Sequence, residues 1–133
     1  MMPRPQAVTE LYTTYPKLFP KNTLDCSLGW LTIIADMCAA VQIYLDLEEE
    51  PHVDQVEFTE IKERYGVLTI SYTGGDGVVA HIIKYCEQLS YRTCSICGVS
   101  DATLYCSSKW RNWSHGKILC EPHALELFYF RLS

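Results

Sequence analysis

From Gly29 to Leu47 the apolar positions recur at helical spacing: Trp30, Ile33, Ile34, Met37, Cys38, Val41 and Leu45 share one side of a 3.6-residue period. They predict a core helix over residues 29–47, preceded by a loop in which Asp25 or Ser27 can serve as N-cap. The helix runs into Asp46, Glu48, Glu49 and Glu50. Carboxylates at a C-terminus oppose the helix dipole, so fraying is expected near Glu48. Upstream, AVTELYTTY at residues 7–15 predicts a short helix that stops before Pro16 and Pro20.

Beyond Pro51 the period changes. Val56, Phe58 and Ile61, then Leu68, Ile70 and Tyr72, predict strands over 53–61 and 67–73, each with one covered face. They part at Tyr65–Gly66, and the stretch Glu60–Arg64 is compatible with either a bulge or a helical turn. Gly74–Gly75–Asp76–Gly77 reads as a turn or a helix entry. A second amphipathic helix follows over 78–91, with Val78, Val79, Ile82, Ile83, Cys86 and Leu89 on one face. The expected fold class is α+β: two helices packed on a short β-hairpin in an N-terminal part, residues 1–91, followed by a small C-terminal subdomain, residues 92–133.

A chain of 133 residues, 48% hydrophobic and 20% charged, has the size and composition of one globular domain. The apolar stretch Leu28–Leu45 is barely long enough to span a bilayer and carries Asp36 near its centre, so it reads as a core helix, and no membrane partner is expected. The N-terminal residues lack a secretory pattern. Seven cysteines in such a chain point to a reducing, cytoplasmic compartment and to metal binding rather than disulfides. Charge is uneven: residues 1–90 hold six lysines and arginines against thirteen carboxylates, whereas residues 91–133 hold five against three. The acidic bulk disfavours non-specific nucleic-acid binding by the whole chain, and the C-terminal part is a local exception.

The informative chemistry lies in two pairs. Cys94-x2-Cys97 is followed, after 22 intervening residues, by Cys120-x2-His123. A two-residue spacer lets the backbone curl so that both side chains meet one ion, and three thiolates with one imidazole suit Zn2+. Gly98 allows the positive φ of a tight knuckle, and Pro122 fits the first turn of a helix. That helix is expected to present Leu125, Phe128, Tyr129 and Leu132 as its apolar face. Knuckle, β-hairpin (around Thr103–Cys106 and Lys117–Leu119) and ligands at a helix start give the order of a treble-clef or zinc-ribbon-like subdomain. Cys106 and His115 are competing ligands, neither in a paired spacing. Four protein ligands leave no position for a substrate water, so one structural ion is expected.

No catalytic residue is assigned. The zinc-deaminase pattern requires H-x-E with P-C-x-x-C, and neither occurs; H-E-x-x-H, G-x-S-x-G and phosphate-binding glycine loops are absent too. His115, near Asn112, is the one candidate for a treble-clef nuclease base. Cys26, Cys38 and Cys86 read as core thiols. Lys109, Trp110, Arg111, Trp113, His115 and Lys117 are the candidate partner contacts. Interleaved cations and indoles can stack bases and neutralise phosphates, anchor a protein partner, or pack beneath the hairpin.

YPKLF, DCSLGWLTII with MCAAV, IKERYGVLTISY, and RTCSICG paired with LCEPHA follow one another along the chain. In that combination the sequence resembles a family of small, mostly uncharacterised zinc-binding proteins encoded by bacteriophages and prophages. The family's Lys-Phe-Gly-Gly-Leu turn stands here as Arg64-Tyr65-Gly66-Val67-Leu68, one glycine fewer, and the segment before the second pair is the more basic KWRNWSHGK. The resemblance implies a cytoplasmic phage accessory protein and supplies no activity. The expected function is non-enzymatic binding of a host or phage protein, with inhibition of a bacterial defence system as its outcome. The alternatives are nucleic-acid binding through residues 109–117 and a nuclease centred on His115.

Overall fold

In the computed structural model, which describes residues 4–21, 23–47, 53–107, 116–127 and 129–131, the chain opens with helix α1 (Arg4–Thr14) and strand β1 (Leu24–Asp25). A 3-10 turn, Leu28–Trp30, leads into α2 (Leu31–Leu47). The hairpin β2 (Glu57–Arg64) and β3 (Val67–Thr73) and helix α3 (Gly77–Ser90) follow. The C-terminal part comprises β4 (Thr103–Ser107), β5 (Gly116–Leu119), α4 (Glu121–Glu126) and β6 (Tyr129–Arg131). The class is mixed α+β, but richer than two helices on one hairpin: among the described residues four α-helices accompany two three-stranded sheets, ordered β1-β2-β3 and β5-β4-β6.

The helical period of α2 has the expected consequence. Ile34, Met37, Cys38 and Val41 are buried, and Trp30 at its approach is fully enclosed. Ser27 stands at the N-cap position of the 3-10 turn, yet its hydroxyl donates to Glu63 Oε1 at 2.8 Å instead of capping. This ties the helix approach to β2. The end of α2 meets the start of α3, where the Tyr44 hydroxyl donates to Asp76 Oδ2 at 2.5 Å. At the other end the Cys86 thiol lies 3.5 Å from the Ile33 carbonyl oxygen, so the two helices run antiparallel. Asp76 also accepts from the amides of Val78 and Val79, which starts α3. The Tyr44 hydroxyl and these amides hold its carboxyl below the usual carboxylate range. On α3 the buried face is Val79, Ile83 and Cys86. Val78, expected on that face, is exposed because it lies in the first turn, at the open edge of the helix pair.

The first strand starts later than its apolar pattern suggests, at Glu57 rather than 53, and continues through Arg64. Glu60–Arg64 is therefore strand, with a register shift between Phe58 and Glu60. Tyr65 (φ 52°) and Gly66 (φ 85°) supply the two left-handed residues that a tight hairpin requires. The pairing Arg64↔Val67 closes it. On one side of the hairpin, β1 pairs in parallel with β2 through Leu24↔Ile61, a two-residue element with no periodic signal. On the other side, β3 is an edge strand whose amides are met by α3. Leu68 donates to Ser90 Oγ at 3.1 Å and Ile70 to Glu87 Oε2 at 2.8 Å. Side chains of the helix thus occupy donors that would otherwise invite another strand.

The C-terminal helix differs from expectation. α4 ends at Glu126, where the Leu127 amide turns back to His123 and Leu125 carbonyl oxygens. Tyr129 belongs to β6, which pairs with β4 through Ser107↔Tyr129. Leu125 is 68% exposed, so no long apolar face forms there; Phe128 and Leu132 lie outside the described residues. Strand pairing with β4 supplies the backbone partners that a longer helix would have provided internally.

One hydrophobic core joins the two parts: Trp30, Ile34 and Phe58 belong to the same cluster as Cys94, Ile118, Leu119 and Ala124. Backbone contact at Gly29 makes the join close. Its amide donates to the Ser95 carbonyl oxygen at 2.8 Å, and Trp30 Nε1 donates to the Thr93 carbonyl oxygen at 2.9 Å. A Cβ on Gly29 would sit 2.2 Å from the Cys94 carbonyl oxygen, a backbone atom that cannot swing aside. Gly29→Ala is expected to cost about 3 kcal/mol, at the upper end of overpacking penalties, in urea denaturation. At Gly77 a Cβ meets nothing within 4 Å. Gly77→Ala is expected to be neutral or to stabilise by roughly 0.5 kcal/mol through helix propensity. Equal effects of the two substitutions would refute the close approach.

Candidate metal centre

Cys94 and Cys97 occupy a turn directly after α3. The Cys94 amide donates to the Val99 carbonyl oxygen and the Gly98 amide to that of Cys94, both at 2.9 Å. Gly98 closes the turn at φ 82°. Its missing Cβ also matters sterically, since one would lie 3.0 Å from the Gly29 carbonyl oxygen. Cys120 is the N-cap residue of α4, with extended backbone (φ −77°, ψ 162°), and Pro122 stands in the first turn. The Ala124 amide bonds to the Cys120 carbonyl oxygen at 2.9 Å, and this single helical turn sets His123 beside Cys120. Knuckle and hairpin are pinned together by the Ser95 amide, which donates to the Ile118 carbonyl oxygen on β5 at 2.9 Å.

These constraints bring Cys94, Cys97, Cys120 and His123 together, with their ligand atoms all within 4.8 Å of one another. Cys97 Sγ and Cys120 Sγ are 3.8 Å apart; His123 Nδ1 lies 3.6 Å from Cys94 Sγ and 3.1 Å from Cys120 Sγ. Metal–sulfur bonds of ~2.3 Å and metal–nitrogen bonds of ~2.05 Å at tetrahedral angles require edges of about 3.8 Å between sulfurs and about 3.6 Å between sulfur and nitrogen. Two of the three distances match and the third is shorter by a fraction of an ångström. The donor set is therefore compatible with a metal site, with Nδ1 the imidazole atom that faces the Cys94 and Cys120 sulfurs.

Electrostatics in the cluster favour the same reading. Burial raises the Cys94 thiol, but backbone amides of Cys97, Cys120 and Ile96 directed at its sulfur outweigh that and bring it down to about 6. Cys120 moves the other way, to about 11, through burial and the neighbouring Cys94 and Cys97 sulfurs, against the His123 amide. The first negative charge is thus stabilised locally and further ones resist forming side by side. A divalent cation removes that resistance.

The other thiols behave differently. Cys38 and Cys86 are buried in apolar surroundings, which pushes both up to about 12 and keeps them protonated. Cys26 is likewise buried, so the reading of these three as core thiols agrees with their position. Cys106 lies on β4. Of the candidate contact residues, Lys109, Trp110, Arg111, Trp113 and His115 lie outside the described residues. Lys117 is on β5, its Nζ 4.0 Å from Glu63 Oε2. His81 is exposed on α3.

Sequence reasoning missed Gly29 as the residue on which the knuckle rests. Its only local signal is a glycine at the beginning of an otherwise strong helical run. The segment Leu28–Leu47 has the length and composition to cross a bilayer, with mean hydropathy 1.6. Its residues Trp30, Ile34 and Val41 are instead enclosed by the protein's own core. No protein-family model matches the chain, and no curated protein or solved structure matches it.

Two outcomes follow from this geometry. Native mass spectrometry is expected to find one ion per chain in protein refolded with zinc, and Cys120→Ser should lower its affinity by at least about a hundredfold. Retention of wild-type affinity by that variant would exclude Cys120 as a ligand. In the native protein, iodoacetamide should leave Cys38 and Cys86 unmodified until denaturant is added, because both burial and protonation suppress the thiolate. Rapid native labelling of either would contradict their enclosure.

Proposed function

We propose that this chain is a zinc-stabilised, non-enzymatic protein that binds another protein. The observation that carries the reading is the closed donor set of Cys94, Cys97, Cys120 and His123. Four protein ligands complete the preferred tetrahedron of zinc, so the ion acts as a fastener for knuckle, β-hairpin and helix start, in the manner of a treble clef. Zinc is the metal favoured by three thiolates and an imidazole in tetrahedral geometry. Its binding free energy supports a C-terminal part with little core of its own.

Protein contact is supported by the surface around the α2–α3 junction. Ile43 (59% exposed) and Leu47 (74%) fall four residues apart on one face of α2, and Val78 (47%) follows the Asp76 that Tyr44 holds. Exposed apolar side chains near a helix end that carries Asp46 suit a partner with an apolar anchor and a basic rim. The resemblance to phage-encoded proteins supports a setting in the bacterial cytoplasm, with host defence machinery as the class of partner.

A tagged pull-down from bacterial lysate, with and without nuclease treatment, tests the reading. The expected result is a partner that survives nuclease and is lost, by at least about tenfold, in an Ile43→Lys/Leu47→Lys variant whose circular dichroism is unchanged. Recovery only without nuclease would replace protein binding with nucleic-acid binding. Divalent-metal-dependent cleavage of DNA or RNA would overturn the non-enzymatic reading.

A further inference from the structure

We propose that Cys97 is the point at which a peroxide oxidises the metal centre, with Cys120 as the resolving thiol. The inference rests on the zinc reading above. Among the four ligands Cys97 is exposed, whereas Cys94 and Cys120 are buried at 0% and 6% exposure. An oxidant arriving from solvent therefore meets the Cys97 sulfur first. Cys120 Sγ lies 3.8 Å from it, so a second sulfur is already placed for the following step. Cys94, fully buried in the knuckle, is the competing partner, and disulfide mapping distinguishes the two.

The chemistry balances with hydrogen peroxide as the oxidant. The Cys97 thiolate attacks one peroxide oxygen, the O–O bond breaks, and Cys97 becomes a sulfenic acid as hydroxide leaves. The Cys120 thiolate then attacks the Cys97 sulfur, the S–O bond breaks and a second hydroxide leaves. Two thiolates have given up two electrons to form one disulfide, and peroxide has been reduced to two hydroxides. Bond formation draws the sulfurs from 3.8 Å to about 2.05 Å, a contraction that the exposed turn at Cys97 can follow. The pair then no longer offers two anionic donors, and Cys94 with His123 alone cannot complete a tetrahedral site.

Loss of the ion would not stay local. The knuckle is hydrogen-bonded to Gly29 through Ser95 and to Trp30 through Thr93, so its rearrangement reaches the approach to α2. The centre thereby couples an oxidising signal to the core helix beneath the proposed contact surface.

The test uses full-length protein with its metal content measured first. Stoichiometric hydrogen peroxide should release the zinc to a chromogenic chelator, and peptide mapping should find a Cys97–Cys120 disulfide. Dithiothreitol with added zinc should restore the bound ion. Cys97→His keeps a nitrogen ligand but cannot form the disulfide, and should slow release at least about tenfold. Metal retained under peroxide, a Cys94–Cys97 linkage, or equally fast release from Cys97→His would each overturn the proposal. Should that variant fail to hold metal, disulfide mapping of the wild-type chain still decides the matter. A reduced protein that takes up no zinc defeats the zinc reading itself, and the proposal with it.

Discussion

Backbone-to-backbone contact at Gly29 is the constraint on which the arrangement of the two parts depends. The Gly29 amide reaches the Ser95 carbonyl oxygen, and Gly98 faces the Gly29 carbonyl oxygen from the other side of the turn. A side chain would block the first approach, and at Gly98 it would crowd the second and strain a backbone held at φ 82°. Trp30 extends the same contact into the interior, fully buried and with its indole N–H satisfied by Thr93. A buried Trp needs that partner. The knuckle that carries two ligands is consequently built against the approach to the longest helix.

That placement gives the cluster its character. Among the described residues two groups of cysteines stand apart: thiols kept protonated by an apolar core, such as Cys38 and Cys86, and thiols gathered where amides and an imidazole converge. The first group contributes packing alone. In the second, the charge that one sulfur gains from nearby amides makes the next harder to ionise, and a cation resolves the conflict. The same closeness that suits a metal also places Cys97 and Cys120 for a bond with each other. The proposed fastening and the proposed sensitivity to oxidation thus draw on one geometry and differ in what the exposure of Cys97 adds.

Sheet edges show a related economy. β3 does not present bare donors, because Glu87 and Ser90 on α3 reach its amides. The helix that covers the sheet's edge therefore leaves its opposite side, with Val78 and Tyr85, to solvent. Ile43, Leu47 and Val78 stay exposed once these structural demands are met, and they are the groups that the proposed protein contact would use.

Much of this was legible in the residues themselves. The periods of α2 and α3, the hairpin turning at Tyr65–Gly66 and the paired spacings of the four ligands are local properties, set by helix and strand repeats and by short-range chain geometry. The elements that escaped detection have no such repeat. β1 is two residues held by a parallel partner 37 positions away, as in Leu24↔Ile61, and β6 exists because β4 offers it an edge. Leu125 looked like part of an apolar helical face, yet α4 closes at Glu126 and leaves it in solvent. By itself the sequence determined which side chains could hold a metal and which segments would coil or extend. Only the tertiary structure decided that the knuckle rests on Gly29, that Cys97 is the ligand left exposed, and that two separate pairs meet at one point. Contacts between residues distant along the chain depend on packing that no local pattern encodes.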